Sequence, residues 1–177
     1  MVQINGNDPV NSLNEAGFKS TTEKIKKPEN RSSSIFFVNE GDQILGRNDK
    51  GELVEVYEIN AKGKADRHDS YEYDANGNNT KWIVDYDVDG KPDKIATYEY
   101  DAKGNRTKYS WDDNGDGKPE TIKTYEYDAK GNVTKESRDY DGDGNVDTIE
   151  HKVYDRNGKL IQKGYDYNAD GIIDEFK

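Results

Sequence analysis

Four stretches of nine residues carry acidic or amide side chains at positions 1, 3, 5 and 9 and a glycine at position 6. Oxygens from alternate positions of a tightly curled loop can converge on one centre, and Ca²⁺ takes six to eight oxygens at about 2.3–2.6 Å. The glycine permits the sharp turn, and the acid at position 9 closes the coordination shell. The sequence therefore predicts four calcium loops, numbered 1 to 4 along the chain.

In each loop we expect side-chain oxygens from positions 1, 3, 5 and 9 and a backbone carbonyl oxygen from position 7. A single Asp-Gly-rich stretch often makes an ordinary turn at a solvated edge, but four copies in phase, 27 residues apart, favour metal binding. The candidate ligands are Asp85, Asp87, Asp89, Lys91 and Asp93 in loop 1, Asp112, Asn114, Asp116, Lys118 and Glu120 in loop 2, Asp139, Asp141, Asp143, Asn145 and Asp147 in loop 3, and Asp166, Asn168, Asp170, Ile172 and Asp174 in loop 4.

An earlier, degenerate copy of the nine-residue pattern runs from Glu58 to Asp66. It has Lys62 at position 5, where an oxygen ligand is needed. Because an ammonium group there would repel Ca²⁺, we expect this stretch to bind no metal.

A second motif, Y-x-Y-D-x-x-G-N, occupies the other half of each repeat. Its Asp-x-x-Gly-Asn part is typical of tight hairpin turns. The motif resembles the YD repeat of the Rhs and insecticidal-toxin-complex families, and the resemblance implies a strand-turn-strand unit; we carry over that unit and not the encapsulating function of those families. The copies are Tyr71–Asn78, Tyr98–Asn105 and Tyr125–Asn132, with a looser one at Tyr154–Gly158.

The loops themselves resemble the calcium loops on β-hairpins of integrin-type propellers, the FG-GAP repeats. An EF-hand loop would place an acid at position 12 and continue into a helix. Here position 12 is Ala96, Lys123, Glu150 or Lys177, and the residues that follow each loop are β-branched and aromatic in alternation, which is typical of strands.

The repeats predict an all-β fold, an antiparallel meander or coiled repeat sheet of about ten strands. Strands are expected at 106–111 and 121–127, with every calcium loop on one edge and successive ions roughly 10 Å apart. The five β-hairpin units of about 27 residues are 44–70, 71–97, 98–124, 125–151 and 152–177.

The residues before the repeats differ in composition. We expect residues 1–34 to form an N-terminal arm, with a short helix near 9–16 and a linker from Lys24 to Ser34. Residues 35–43 are expected to form a strand that caps the first repeat, because terminal units of repeat arrays need closing.

Side chains alternate along a strand, so equivalent residues of successive units should form columns. The column of Tyr73, Tyr100, Tyr127 and Tyr154 is interpreted as a structural ladder, with a flat face for stacking sugar rings as the alternative. His68 and His151 fall in other columns and are interpreted as half-buried fillers without a catalytic role.

The composition alone is that of a disordered chain, with 31% hydrophobic residues and a net charge of −11. No cysteine is present, which excludes disulfides and thiolate sites, and the acidic balance argues against nucleic-acid partners. No membrane-inserting stretch or signal peptide is visible. Four Ca²⁺ ions would reduce the net charge from −11 to about −3, so we expect the chain to be loose without calcium, at least from Tyr71 onward.

These features predict a non-enzymatic, calcium-stabilised structural or adhesive module that binds about four Ca²⁺. A bacterial protein at an extracellular or cell-surface location is expected, with another protein or a surface glycan as partner. Two alternatives stay open, namely an intracellular calcium sensor or buffer, for which affinity should be much tighter, and a glycan-binding module that uses the aromatic face.

Overall fold

A computed structural model describes residues 23–25 and 35–177 of the chain, and within these residues all regular structure is β-strand. The strands follow one another in sequence order in a thirteen-stranded antiparallel meander. They are β1 (Glu23–Ile25), β2 (Ile35–Glu40), β3 (Gln43–Arg47), β4 (Leu53–Ile59), β5 (Ala65–Tyr73), β6 (Asn79–Asp85), β7 (Lys94–Tyr100), β8 (Arg106–Asp112), β9 (Thr121–Tyr127), β10 (Val133–Asp139), β11 (Thr148–Tyr154), β12 (Leu160–Asp166) and β13 (Glu175–Phe176).

The predicted all-β meander is confirmed. The strand expected at 121–127 has those bounds, and the one expected at 106–111 is longer by one residue. The ten predicted strands correspond to β3 to β12, and β1, β2 and β13 add to them. The described residues include no helix long and apolar enough to cross a membrane.

The first strands lie where the sequence predicted an arm and a cap. Strand β1 pairs antiparallel with β2, with Glu23 opposite Phe37, and so includes the first two residues of the predicted linker. Strand β2 pairs with β3. The helix expected near 9–16 and the linker beyond residue 25 lie outside the described residues, and the domain boundaries stay a prediction.

The described chain divides into two compact units, one containing the residues up to Tyr73 together with Trp82–Asp93 and the other Asp74–Lys81 together with Lys94–Lys177. The first unit holds an apolar core made of Ile35, Phe37, Ile44, Tyr57 and Ala65. In the second unit Ala96 alone among the described hydrophobic residues is fully buried, whereas several polar and acidic side chains are. Fully buried apolar side chains therefore contribute little stability to the second unit, where most hydrophobic residues are only half-buried.

Tight turns connect the odd-numbered strands from β3 to β11 to the strands that follow, and the turn of Asp101 to Asn105 shows their design. The Asp101 carboxylate accepts hydrogen bonds from the backbone N–H of Lys103 at 2.8 Å and of Asn105 at 2.9 Å, and from the Asn105 amide at 2.8 Å. These bonds lower the pKa of Asp101, with the Asn105 side chain as the largest cause. Gly104 has a φ of +84°, which favours glycine, and the register shifts between Glu99 and Tyr100.

The same turn occurs where the sequence suggested a degenerate calcium loop. Asn60 accepts hydrogen bonds from the backbone N–H of Lys62 at 3.0 Å and of Lys64 at 3.2 Å, and Gly63 has a φ of +77°. Residues 58–66 are thus two strand ends joined by a tight turn rather than a worn copy of the nine-residue loop.

Candidate metal centres

Each predicted loop begins at the last residue of a strand. Position 1 is occupied by Asp85, Asp112, Asp139 and Asp166, which end β6, β8, β10 and β12. These four side chains are almost completely buried, with 4%, 4%, 4% and 0% exposure. The strand therefore delivers one carboxylate to the base of each loop.

The loop backbone wraps around this buried carboxylate. In loop 3 the two oxygens of Asp139 accept hydrogen bonds from the N–H of Gly142 at 2.7 Å and of Gly144 at 2.9 Å. The bond from the position 6 glycine to position 1 recurs in all four loops, at 2.8–2.9 Å. Position 1 thus organises the curled conformation that the sequence predicted.

The acid at position 9 closes each loop by a second repeated contact. It accepts a hydrogen bond from the backbone N–H of position 2, at 2.6 Å for Asp93 and Glu120 and at 2.7 Å for Asp147 and Asp174. The first and last carboxylates are thereby held on the same side of the loop.

Three loops bring three carboxylates together, with one oxygen from each lying within 4.8 Å of the others. Among the described residues these triads are Asp85, Asp87 and Asp93 in loop 1, Asp112, Asp116 and Glu120 in loop 2, and Asp139, Asp141 and Asp147 in loop 3. Each triad could hold a metal ion, and each consists of residues that the sequence proposed as ligands.

Other predicted ligands lie outside the triads. Asp89 accepts a hydrogen bond from the backbone N–H of Lys91 and lies 3.1 Å from its ammonium group, and both contacts lower its pKa. Asp143 is held in the same way by the backbone N–H and side-chain amide of Asn145.

In loop 2 the Asn114 amide group donates to Glu120, and in loop 4 the Asn168 amide donates to Asp170. Loop 4 supplies none of the three triads found in the described residues. A role for these residues as ligands stays a prediction.

Sequence reasoning missed a requirement at position 4. All four loops have a left-handed residue there, namely Val88 with a φ of 59°, Gly115 and Gly142 with 69°, and Ala169 with 54°. For a residue with a Cβ this conformation costs about 1–3 kcal/mol, and such strain persists where the surroundings impose it. The glycines at position 4 of loops 2 and 3 were the available signal.

No protein-family model and no curated protein sequence matches the chain. Solved structures that are similar to parts of it include the following three. The TcdB2-TccC3-TEV crystal structure aligns at 14% identity and a TM-score of 0.45, over 78% of this chain and 9% of that chain. A porin-like protein from Bacteroides uniformis aligns at 11% identity and a TM-score of 0.39, over 82% of this chain and 74% of that chain.

TarM aligns at 12% identity and a TM-score of 0.27, over 79% of this chain and 25% of that chain. The match to the first of these structures spans only 9% of the length of the TcdB2-TccC3-TEV chain. The relation to YD-repeat families stays a prediction from the motif, and the function is argued from the loops.

Exposed tyrosines flank three of the loops. Tyr86, Tyr140 and Tyr167 occupy position 2, and about half of each side chain is exposed. A hydrogen bond with Arg138 lowers the pKa of Tyr140, and one with Glu175 raises the pKa of Tyr167. Their position next to the carboxylates makes these rings natural spectroscopic reporters of metal binding.

Three tyrosines of the second unit lie around one cationic side chain. The Arg106 guanidinium lies 5.8 Å from the ring centre of Tyr98, 5.7 Å from that of Tyr109 and 5.3 Å from that of Tyr125. Such contacts stabilise the sheet and cover the ring faces that a sugar would need. This arrangement favours a structural role for these three tyrosines, which lie outside the column of Tyr73, Tyr100, Tyr127 and Tyr154.

Proposed function

We propose that the chain is a calcium-stabilised repeat module, a non-enzymatic structural or adhesive scaffold that binds about four Ca²⁺ through loops 1 to 4. The observation that carries the proposal is the environment of its buried acids. Seven acidic side chains are buried in the described part of the chain, and they divide into two groups.

Three of these acids lie on strands away from the loops, and each has a basic partner. Asp69 pairs with the Arg67 guanidinium at 2.8 and 2.9 Å, Glu150 lies 2.7 Å from the Lys163 ammonium group, and Glu55 lies 3.0 Å from a ring nitrogen of His68. The buried carboxylates outside the loops are thus each paired with a basic side chain.

The other four are the position 1 aspartates of the loops, and no basic side chain pairs with any of them in the described residues. Their partners are backbone N–H groups, and their neighbours at the same site are further carboxylates. An uncompensated buried charge costs several kcal/mol, and a divalent cation bound within the loop would remove that cost. This contrast supports a bound metal ion as the positive charge that balances the position 1 aspartates.

The donor set favours calcium over other metals. Every candidate ligand is a carboxylate, amide or carbonyl oxygen, which suits Ca²⁺ and Mg²⁺ better than Zn²⁺ or Cu²⁺. Ca²⁺ accepts a flexible shell of six to eight oxygens, whereas Mg²⁺ demands octahedral geometry and keeps several waters. A loop that offers five ligands from nine residues fits the larger ion.

The metal would supply the stability that the second unit does not gain from apolar burial. Since binding free energy adds to folding free energy, removing calcium should loosen the sheet. We place the protein outside the cell or at its surface, where sites of about 10⁻⁴–10⁻³ M suffice. An intracellular sensor would need affinities of about 10⁻⁷–10⁻⁵ M.

Calorimetric titration of the whole chain with Ca²⁺ tests the proposal. We expect about four ions to bind and a chelator to reduce the strand signal in circular dichroism. Binding of no more than one ion, or a spectrum unchanged by chelator, would overturn it. The measured affinity decides between the extracellular scaffold and the intracellular sensor.

A further inference from the structure

The backbones of loops 2 and 3 approach each other closely at Gly142. A Cβ atom on this residue would lie 1.8 Å from the carbonyl oxygen of Pro119, 2.9 Å from its carbonyl carbon and 3.5 Å from the Cα of Glu120. No side chain can be accommodated at these distances without moving the backbone of loop 2. Gly144 in the same loop also has a positive φ, yet nothing lies within 4 Å of its Cβ position.

Both sides of this contact are bonded to candidate ligands. On the loop 3 side, the N–H of Gly142 donates to Asp139 at 2.7 Å. On the loop 2 side, Pro119 immediately precedes Glu120, whose carboxylate accepts from the N–H of Asp113 and from the Asn114 amide, each at 2.6 Å. A shift at the contact therefore moves ligands of both loops.

We propose that Gly142 is a positioning residue for Glu120, and that ion binding in loop 3 strengthens ion binding in loop 2. This inference rests on the proposed function. When an ion orders loop 3, this loop presents a fixed surface to Pro119. The entropy cost of ordering loop 2 is then smaller, so an ion binds to loop 2 more tightly. By linkage, an ion in loop 2 strengthens binding in loop 3 by the same factor.

Repulsion between the two ions is reduced by the carboxylates that surround each of them. Loop 2 has three carboxylates at ligand positions and loop 3 has four, so each loop remains negative after one Ca²⁺ binds. Loop 4 differs from loop 3 because its position 4 is Ala169, whose Cβ prevents an equally close backbone approach to a neighbour. The coupling is assigned to loops 2 and 3, where Gly142 and Pro119 make the close backbone approach.

Trp111 offers a readout specific for loop 2. Its indole N–H donates to Asp113 at 3.3 Å, and it directly precedes Asp112. Trp82 is the other tryptophan of the chain, so in a Trp82→Phe background the luminescence of Tb³⁺ excited through tryptophan reports this loop. Tb³⁺ serves as the probe because it binds oxygen ligands as Ca²⁺ does.

The test compares Gly142→Ala with Gly51→Ala in that background, because Gly51 also has a positive φ, of 82°, but lies in a tight turn outside the loops with nothing within 4 Å of its Cβ position. We expect Gly142→Ala to weaken Tb³⁺ binding at loop 2 about tenfold, and Gly51→Ala to leave it within about twofold. Equal affinities at loop 2 in the two variants would overturn the inference and leave the proposed function intact. No saturable signal in the Trp82→Phe reference protein would instead refute the proposed function at loop 2.

A second comparison does not disturb the backbone contact. Asp141→Asn weakens loop 3 through a ligand, and coupling predicts about fivefold weaker Tb³⁺ binding at loop 2. Asp170→Asn makes the same chemical change in loop 4 and should leave loop 2 unaffected. If Gly142→Ala does not fold, the comparison of Asp141→Asn with Asp170→Asn tests the inference by itself. Equal Tb³⁺ affinity at loop 2 in these two variants would contradict the coupling.

Discussion

The hydroxyl group of Tyr127 donates a hydrogen bond of 2.6 Å to the backbone carbonyl of Arg106, which begins the strand after the preceding tight turn. The bond recurs in register along the repeats. It joins Tyr73 to Leu53, Tyr100 to Asn79 and Tyr154 to Val133, at 2.8, 2.8 and 3.0 Å. The second tyrosine of the Y-x-Y-D motif therefore ties each hairpin to the one before it.

Replacing Tyr127 by Phe should lower the free energy of unfolding by about 1 kcal/mol, because the carbonyl of Arg106 loses its hydroxyl partner. Urea denaturation in the presence of calcium measures the change. Tyr109→Phe is the matched control, since in the described residues the Tyr109 hydroxyl has no hydrogen-bond partner, and we expect a change within about 0.5 kcal/mol. Equal losses would show that the hydrogen bond contributes nothing.

Replacing Ala169 by Gly should stabilise the protein by about 0.5 kcal/mol. Ala169 has a φ of 54°, a conformation in which glycine is unstrained, and this relief exceeds the extra entropy of glycine in the unfolded chain. Thermal unfolding at fixed calcium concentration provides the measurement.

The control for Ala169 is Ala129→Gly, in the tight turn, where the alanine φ is not positive. Here only the entropy term acts, so we expect destabilisation by about 0.5–1 kcal/mol. The two alanine-to-glycine changes should thus have opposite signs. Destabilisation by both would show that position 4 of loop 4 is not strained.

The strands and loops could be predicted from the sequence because their periods of 2 and 27 residues are explicit in it. The hydrogen bond from the Tyr127 hydroxyl to the Arg106 carbonyl could not be predicted, because the repeat places Tyr127 on one face of the sheet without indicating which carbonyl it reaches. The tight turn between Glu58 and Asp66 could not be predicted either, because Asn-x-x-Gly fits both the turn and part of the loop pattern. The contact of Gly142 with Pro119 was also invisible, because it joins backbones of different loops.

The tight turns predict a measurable acid dependence. Hydrogen bonds, first from the Asn105 side chain, lower the pKa of Asp101. The folded state therefore gains stability from this group above its unfolded pKa of about 4, and loses it as the pH falls through the lower folded pKa. Carboxyl chemical shifts in an NMR titration should show Asp101 ionising below the ordinary range.

Asn105→Ala should return the pKa of Asp101 toward its ordinary value, whereas Asn132→Ala should raise the pKa of Asp128 and leave that of Asp101 unchanged. An Asp101 pKa that is ordinary in the wild-type chain would contradict the expected turn geometry. A pKa that stays low in Asn105→Ala would assign the effect to the backbone N–H groups instead.

Two aspartates, one in the tight turn before β10 and one at the end of β10, separate metal binding from a general effect of charge. Asp139 is the buried position 1 residue of loop 3, and Asp128 belongs to an exposed tight turn. Both Asp139→Asn and Asp128→Asn remove one negative charge. Asn already occupies the equivalent turn position at Asn48 and Asn60, so Asp128→Asn should be tolerated.

Asp139→Asn should remove the binding of one calcium ion in calorimetry. It should also destabilise the calcium-loaded protein by at least about 1–3 kcal/mol, because Gly142 and Gly144 donate to different oxygens of Asp139 and an amide has only one oxygen. Asp128→Asn should retain the full ion count. In chelator the difference between the two variants should shrink, since the neutral amide removes a buried charge that then has no counter-ion. Equal loss of calcium in both variants would mean that the ions respond to overall charge rather than to the loop.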